Sequence, residues 1–250
     1  MENPAWTGWD VIYIVMVMFA SLVICLVGLT IIVRRLAYPE VGFFQVMGFP
    51  LVAFAGQMCA YLVTFGFMFT IATQNSGGGF GAAVRWNWPR AWAIYLGLGI
   101  AFAIGLQFLA GFLPMPKDIP MEAFFKTALR AWILSIAAMT LVPLMEELFF
   151  RGFLYPVLAR RLGVIVAVLF TALSFTVIHV PQLADPHMPL ATSWGPVLLI
   201  FIIGLALTIV RATKKSVAAG VLVHMAYNGF TSLAAIVVSG GFRHLDRLAH

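Results

Sequence analysis

Two adjacent carboxylates and one guanidinium stand inside an otherwise apolar run, Pro143-Leu-Met-Glu146-Glu147-Leu-Phe-Phe-Arg151-Gly-Phe-Leu-Tyr155-Pro156. An ionisable group at the centre of a membrane helix costs about 2.5–3.5 kcal/mol on insertion scales, so its presence points to a function. A helix over 144–155 places Glu147 and Arg151 at i and i+4, on one face and able to pair. Glu146 lies about 100° further round the same helix. It is not held by that pairing, so one carboxylate is neutralised next door and the other is left to take or give a proton.

Three more polar groups fall within apolar segments: His179, His224 and Asn228. His224 and Asn228 are one turn apart and share a face. Both can donate hydrogen bonds, and two donors on one wall suit a developing oxyanion. Phe175 is one turn before His179, where its ring can wall the imidazole from lipid. Each group has a blander reading. A histidine in a span commonly bonds one helix to another, and a Glu–Arg pair can simply neutralise itself. The functional reading rests on the set: an acid, two imidazoles and an amide on three separate apolar helices that can converge in one interior.

Two histidines and a glutamate could ligate zinc and leave a position open for water. Against this, there is no His-Glu-x-x-His, and Arg151 competes for the neighbouring carboxylate. No metal and no other cofactor is therefore expected. Ser135, Ser174 and Ser216 lack a Gly-x-Ser-x-Gly setting. Cys25 and Cys59 lie in apolar spans and read as small buried hydrophobes. The simplest remaining chemistry is water activated by a carboxylate.

The elements that must position these groups follow from composition. Of 250 residues, 62% are hydrophobic and 10% charged, with mean hydropathy +1.01. Soluble domains carry about 25% charged residues, so the chain reads as an all-α, multi-pass integral membrane protein. Its net charge of +6 is scattered over short loops, which argues against nucleic-acid binding. The N-terminus lacks a basic stretch, and the run 11–33 has no small-residue cleavage site, so it reads as a retained span. Trp6, Trp9 and Tyr13 anchor one end of it, and Arg34-Arg35 stop the other on the cytoplasmic side.

Further spans are expected at 43–73, 91–113, 162–180, 196–210 and 217–238. A Gly-rich loop at 74–81 and a loop at 181–195 separate some of them, and Arg85-Trp-Asn-Trp-Pro-Arg90 reads as an interfacial belt. Pro143 should kink or break the helix over 121–142. Segments 121–142 and 144–158 are then either one long kinked helix or a returning hairpin, giving seven or eight hydrophobic helices around a polar pocket. The hairpin gives the better charge ledger: Arg34, Arg35, Lys117, Arg160, Arg161, Lys214 and Lys215 fall together, opposite Arg85 and Arg90. Three regions follow: signature-free spans over 1–115, a catalytic core over 116–238 and a polar tail over 239–250. No internal repeat suggests a transporter built from inverted halves.

Three motifs in order resemble the CAAX protease and bacteriocin-processing family of intramembrane glutamic endopeptidases, including the Ras-converting type. Glu146-Glu147-x-x-x-Arg151 is similar to the family's Glu-Glu-x-x-x-Arg, Phe175-x-x-x-His179 to its Phe-x-x-x-His, and His224-x-x-x-Asn228 to its His-x-x-x-Asn/Asp element. The resemblance covers about 120–230. It implies an endopeptidase in the cell membrane, independent of metal. In that role Glu146 is the general base for water, His179 orients the water and moves its proton, and His224 and Asn228 steady the oxyanion. Glu147 and Arg151 order the site or meet the substrate. The partners implied are the lipid bilayer and a membrane-associated peptide or protein substrate, either a lipidated C-terminus or a leader segment. A non-enzymatic immunity or scaffold protein that binds a partner helix through the same cluster is the alternative. A proton-coupled transporter with Glu146 and His179 as relay is a third reading.

Overall fold

A computed structural model of the chain describes residues 2–116, 120–183 and 194–248. Every regular element among the described residues is helical. Among the described residues, seven helical stretches are long and apolar enough to cross a membrane. The chain is an integral multi-pass membrane protein.

The chain forms two compact units, residues 5–83 and residues 84–248 together with the first four. The smaller unit is built on α1 (Gly8–Ala37) and α3 (Pro50–Ser76), with short α2 (Phe43–Met47) and α4 (Phe80–Ala83). Thr7 and Asp10 cap α1 reciprocally, and Arg34 and Arg35 occupy its last turn, where a helix favours cations. Trp9 and Tyr13 are exposed as expected of interfacial anchors, whereas Trp6 is buried. The expected Gly-rich loop is shorter than its composition suggests. Helix α3 runs on to Ser76 and ends at Gly77, whose φ of 62° suits a residue without a Cβ.

The larger unit holds α5 (Trp92–Ala110), α6 (Ala128–Met139), α7 (Leu141–Glu147), a π-helical turn (Leu148–Leu154) and α8 (Tyr155–Leu162). Helices α9 (Val164–Leu183), α10 (Trp194–Lys214) and α11 (Val217–Val238) complete it. Gly99 brings α5 against α11 so closely that a Cβ there would lie 2.3 Å from the carbonyl of Val223. The tail is not merely polar. Phe242 is buried edge-on to Trp132 at 5.2 Å.

The stretch Ala128–Leu162 is one span, not a hairpin. The charge ledger built on a hairpin therefore fails. Asn87 Nδ2 donates to the carbonyl of Lys215 at 2.9 Å, and the Val217 amide donates to the carbonyl of Arg85 at 3.0 Å. Arg85 thus lies at the same end of this unit as Lys215. Lys117 and most of the loop over 181–195 lie outside the described residues, but Pro181 itself is inside α9.

Candidate active site

The site is built on the broken helix 128–162. Thr140 leaves helical geometry, with φ −130° and ψ −83°. Pro143 accounts for the break, since its ring would meet the carbonyl of Met139 one turn back. Interrupting the ladder frees the carbonyl of Ala138, which accepts from Asn228 Nδ2 at 2.9 Å. After α7 the chain widens into the π turn, where the Tyr155 amide reaches back five residues to the carbonyl of Phe150. Such turns recur at functional sites because they re-aim side chains without ending the helix.

Glu147 and Arg151 form the centre. Arg151 Nη1 donates to Glu147 Oε1 at 2.9 Å, and neither side chain is exposed. Two other hydrogen bonds fix the guanidinium from α10. Nη2 donates to the carbonyl of Gly204 at 2.8 Å and Nε to Thr208 Oγ1 at 3.2 Å. Thr208 Oγ1 also donates to that carbonyl at 2.7 Å. The guanidinium carbon lies 4.6 Å from the ring centre of Phe175, where the ring quadrupole attracts a cation.

Glu147 Oε1 also accepts from His224 Nδ1 at 3.1 Å. Its other oxygen, Oε2, is buried without a hydrogen bond and faces Gly220. A Cβ on Gly220 would lie 2.7 Å from Oε2. Glycine is needed here because the carboxylate, gripped by Arg151 and His224, cannot swing away. We expect Gly220→Ala to lower the turnover of whatever reaction this site catalyses about a hundredfold, the penalty that displacing a site by about 1 Å can carry. Thermal unfolding in detergent, run beside turnover, separates that loss from misfolding. An unimpaired rate would mean that Glu147 can move without consequence.

Glu146 is buried and points inward. Its Oε1 lies 3.5 Å from His179 Nε2 and its Oε2 lies 3.7 Å from His224 Nε2. The opposite nitrogen of each ring is already committed. His179 Nδ1 lies 2.7 Å from the carbonyl of Phe175. A carbonyl only accepts, so this Nδ1 carries the hydrogen. His224 Nδ1 likewise donates to the Glu147 carboxylate. In the neutral rings both Nε2 atoms are therefore acceptors, and they flank an acceptor carboxylate. Three converging acceptors need a hydrogen among them, supplied by one shared proton or by a small O–H donor such as water.

Phe175 is 4.5 Å from the His179 ring and 5.8 Å from that of His224, centre to centre. It therefore packs against both imidazoles and the guanidinium. Glu146, Glu147, Arg151, Phe175, His179 and His224 come together as one cluster. Asn228 is one turn beyond His224 and is tied to the backbone of α6. No group of three or more His, Cys, Asp or Glu side chains among the described residues is arranged to hold a metal ion.

Gly204, Thr208 and Gly220 complete the site without any strong sign in the sequence. Gly204 and Thr208 are one turn apart in an apolar span, and that spacing is the only sign they give. Arg211 has the look of a loop-closing cation beside Lys214 and Lys215, whereas it is buried.

Residues 128–230 match the family model described as Type II CAAX prenyl endopeptidase Rce1-like. Over those residues, less than half of the chain, the sequence is similar to a family of CAAX prenyl endopeptidases. The matched span contains every residue of the cluster described above. No curated protein and no solved structure matches the chain.

Proposed function

We propose that the chain is a glutamic-type intramembrane endopeptidase that hydrolyses a peptide bond of a membrane-associated peptide without a metal. Its substrate class is a lipidated C-terminal peptide, in keeping with the prenyl endopeptidase family. The observation that carries the reading is the flanking of the Glu146 carboxylate by two Nε2 atoms at 3.5 and 3.7 Å, with both tautomers fixed from behind.

In this mechanism a water donates one hydrogen to Glu146 and the other toward His179. Glu146 takes the first proton as the water oxygen bonds to the scissile carbonyl carbon. Two carboxylates and Arg151 leave a net charge of −1 in the buried cluster. One further proton, carried by His224 at Nε2, makes the set neutral. His224 then donates to the oxyanion while Glu147 balances the imidazolium from its Nδ1 side. Asn228 has one amide hydrogen on Ala138 and a second for the same oxyanion. As the tetrahedral adduct collapses, the C–N bond breaks and the proton held by Glu146, passed through His179, goes to the leaving nitrogen.

The test is a single turnover of purified protein on a prenylated peptide in ¹⁸O-water, with and without chelator. We expect one ¹⁸O atom in the new carboxyl terminus and a rate unchanged by chelation. Unlabelled product from the first turnover would instead mean an acyl–glutamyl intermediate. A chelator-dependent rate would overturn the metal-free mechanism.

A further inference from the structure

The π turn leaves a gap in the helix, and a residue from outside the cluster fills it. In the register set by Tyr155 and Phe150, the next amide to reach back five residues is that of residue 156, and its acceptor is the carbonyl of Arg151. Residue 156 is proline and has no N–H to give. The carbonyl of Arg151 is instead met by Arg211 of α10, whose Nε donates to it at 3.0 Å. A buried carbonyl without a partner would be costly, so the guanidinium supplies the bond that the sequence deletes.

Arg211 is itself held. Its Nη1 and Nη2 donate to the two carboxylate oxygens of Glu2 at 2.9 and 3.2 Å. This two-point geometry is the strong form of an arginine–carboxylate contact. Arg85 Nη1 adds a third hydrogen bond to Glu2 Oε1 at 3.0 Å. Arg160 Nη1 donates to the carbonyl of Pro4 at 3.3 Å, and the Arg211 guanidinium lies 5.2 Å from the ring centre of Tyr155. The first four residues belong to the same compact unit as the catalytic helices.

We propose that Arg211, clamped by Glu2, is a positioning residue. It holds the backbone of Arg151 in the π turn and so keeps that side chain on Glu147, and the segment Glu2–Pro4 is a working part of the protease. This inference rests on the catalytic reading given above. Neither Arg211 nor Glu2 touches the Glu146 carboxylate or the two rings.

The experiment compares the full-length wild type with Glu2→Gln, Arg211→Met and the double variant Arg211→Met/Pro156→Ala, in detergent. Glu2→Gln keeps the size of the clamp but removes its charge. It should lower kcat about tenfold, in the range typical of outer residues that orient a reacting group, with KM within about twofold of wild type. Arg211→Met should lose more. Pro156→Ala restores an N–H at the position that faces the carbonyl of Arg151, and should recover most of that loss. Amide hydrogen exchange over 148–155 should quicken in both single variants and slow again in the double. A residue that merely filled space would not be rescued from position 156.

Unchanged kcat and unchanged exchange in Glu2→Gln would overturn the proposal, as would a double variant no better than Arg211→Met. If Arg211→Met does not fold, Glu2→Gln decides the matter alone. The exchange readout does not depend on which residue is the base. If Glu146→Gln remains active, the catalytic reading fails while the clamp is still judged by exchange. If Glu146→Gln is dead and exchange is unmoved, only the clamp falls.

Discussion

Glu146→Gln should produce a folded protein that cleaves its substrate at least about a thousandfold more slowly, within the span that a positioned general base supplies. The expectation of intact folding comes from the contacts. Position 146 faces the Nε2 atoms of both rings at 3.5 and 3.7 Å. Once its negative charge is removed the set is neutral without the extra proton on His224, so both Nε2 atoms are acceptors. A glutamine amide brings two N–H groups to the same place and can satisfy one or both rings directly. Its thermal midpoint should therefore equal or exceed that of wild type, because catalytic groups are commonly held in arrangements that cost stability. Turnover and unfolding measured on one preparation give the answer. A variant that is both stable and active would remove Glu146 from the mechanism. One that is inactive but unfolded would show that the carboxylate matters to the fold.

What the sequence displayed, and what it hid, divides along physical lines. Seven or eight hydrophobic helices are visible because long apolar runs with few charges rarely occur outside a bilayer; the sequence leaves open whether 121–142 and 144–158 are one helix or two. The Glu147–Arg151 pair is visible because helical spacing alone places it. The convergence of Glu146, His179 and His224 could be anticipated because an unpaired polar group in lipid is expensive, so such groups seek each other. Thr208 was hidden for the opposite reason. A threonine in a span can satisfy itself on its own helix, as its bond to the carbonyl of Gly204 shows, so nothing in the composition marks it. The π turn adds a residue to the helical register without any residue type that announces it. Arg211 stands close to Lys214 and Lys215 and reads as one of a run of loop cations. The charge ledger failed for a different reason: it assumed a hairpin and so put Lys215 at the opposite end from Arg85. The partner of Arg85, Glu2, lies 83 residues away in sequence, a distance no local pattern can bridge.

The second large effect concerns the ion pair behind His224. Arg151→Met should destabilise the folded protein by about 3–5 kcal/mol, because it strands the Glu147 carboxylate in a dry interior. Replacing both partners, as in Glu147→Leu/Arg151→Met, removes the stranded charge and should restore most of that loss, as apolar replacements of buried pairs commonly do. The carbonyl of Gly204 stays bonded to Thr208 in either variant, so no new orphan is created there. Stability and activity should then part company. In the double variant His224 Nδ1 has no acceptor at 147, its tautomer is no longer imposed, and an imidazolium at 224 loses the counter-charge on its Nδ1 side. The double variant should unfold near the wild-type midpoint yet cleave at least about a hundredfold more slowly, a loss in the range of general acid–base contributions. A double variant that regained wild-type turnover along with stability would mean that Glu147 serves only to neutralise Arg151. His224 would then act without a residue behind it, and the neutral-set argument for its second proton would fail.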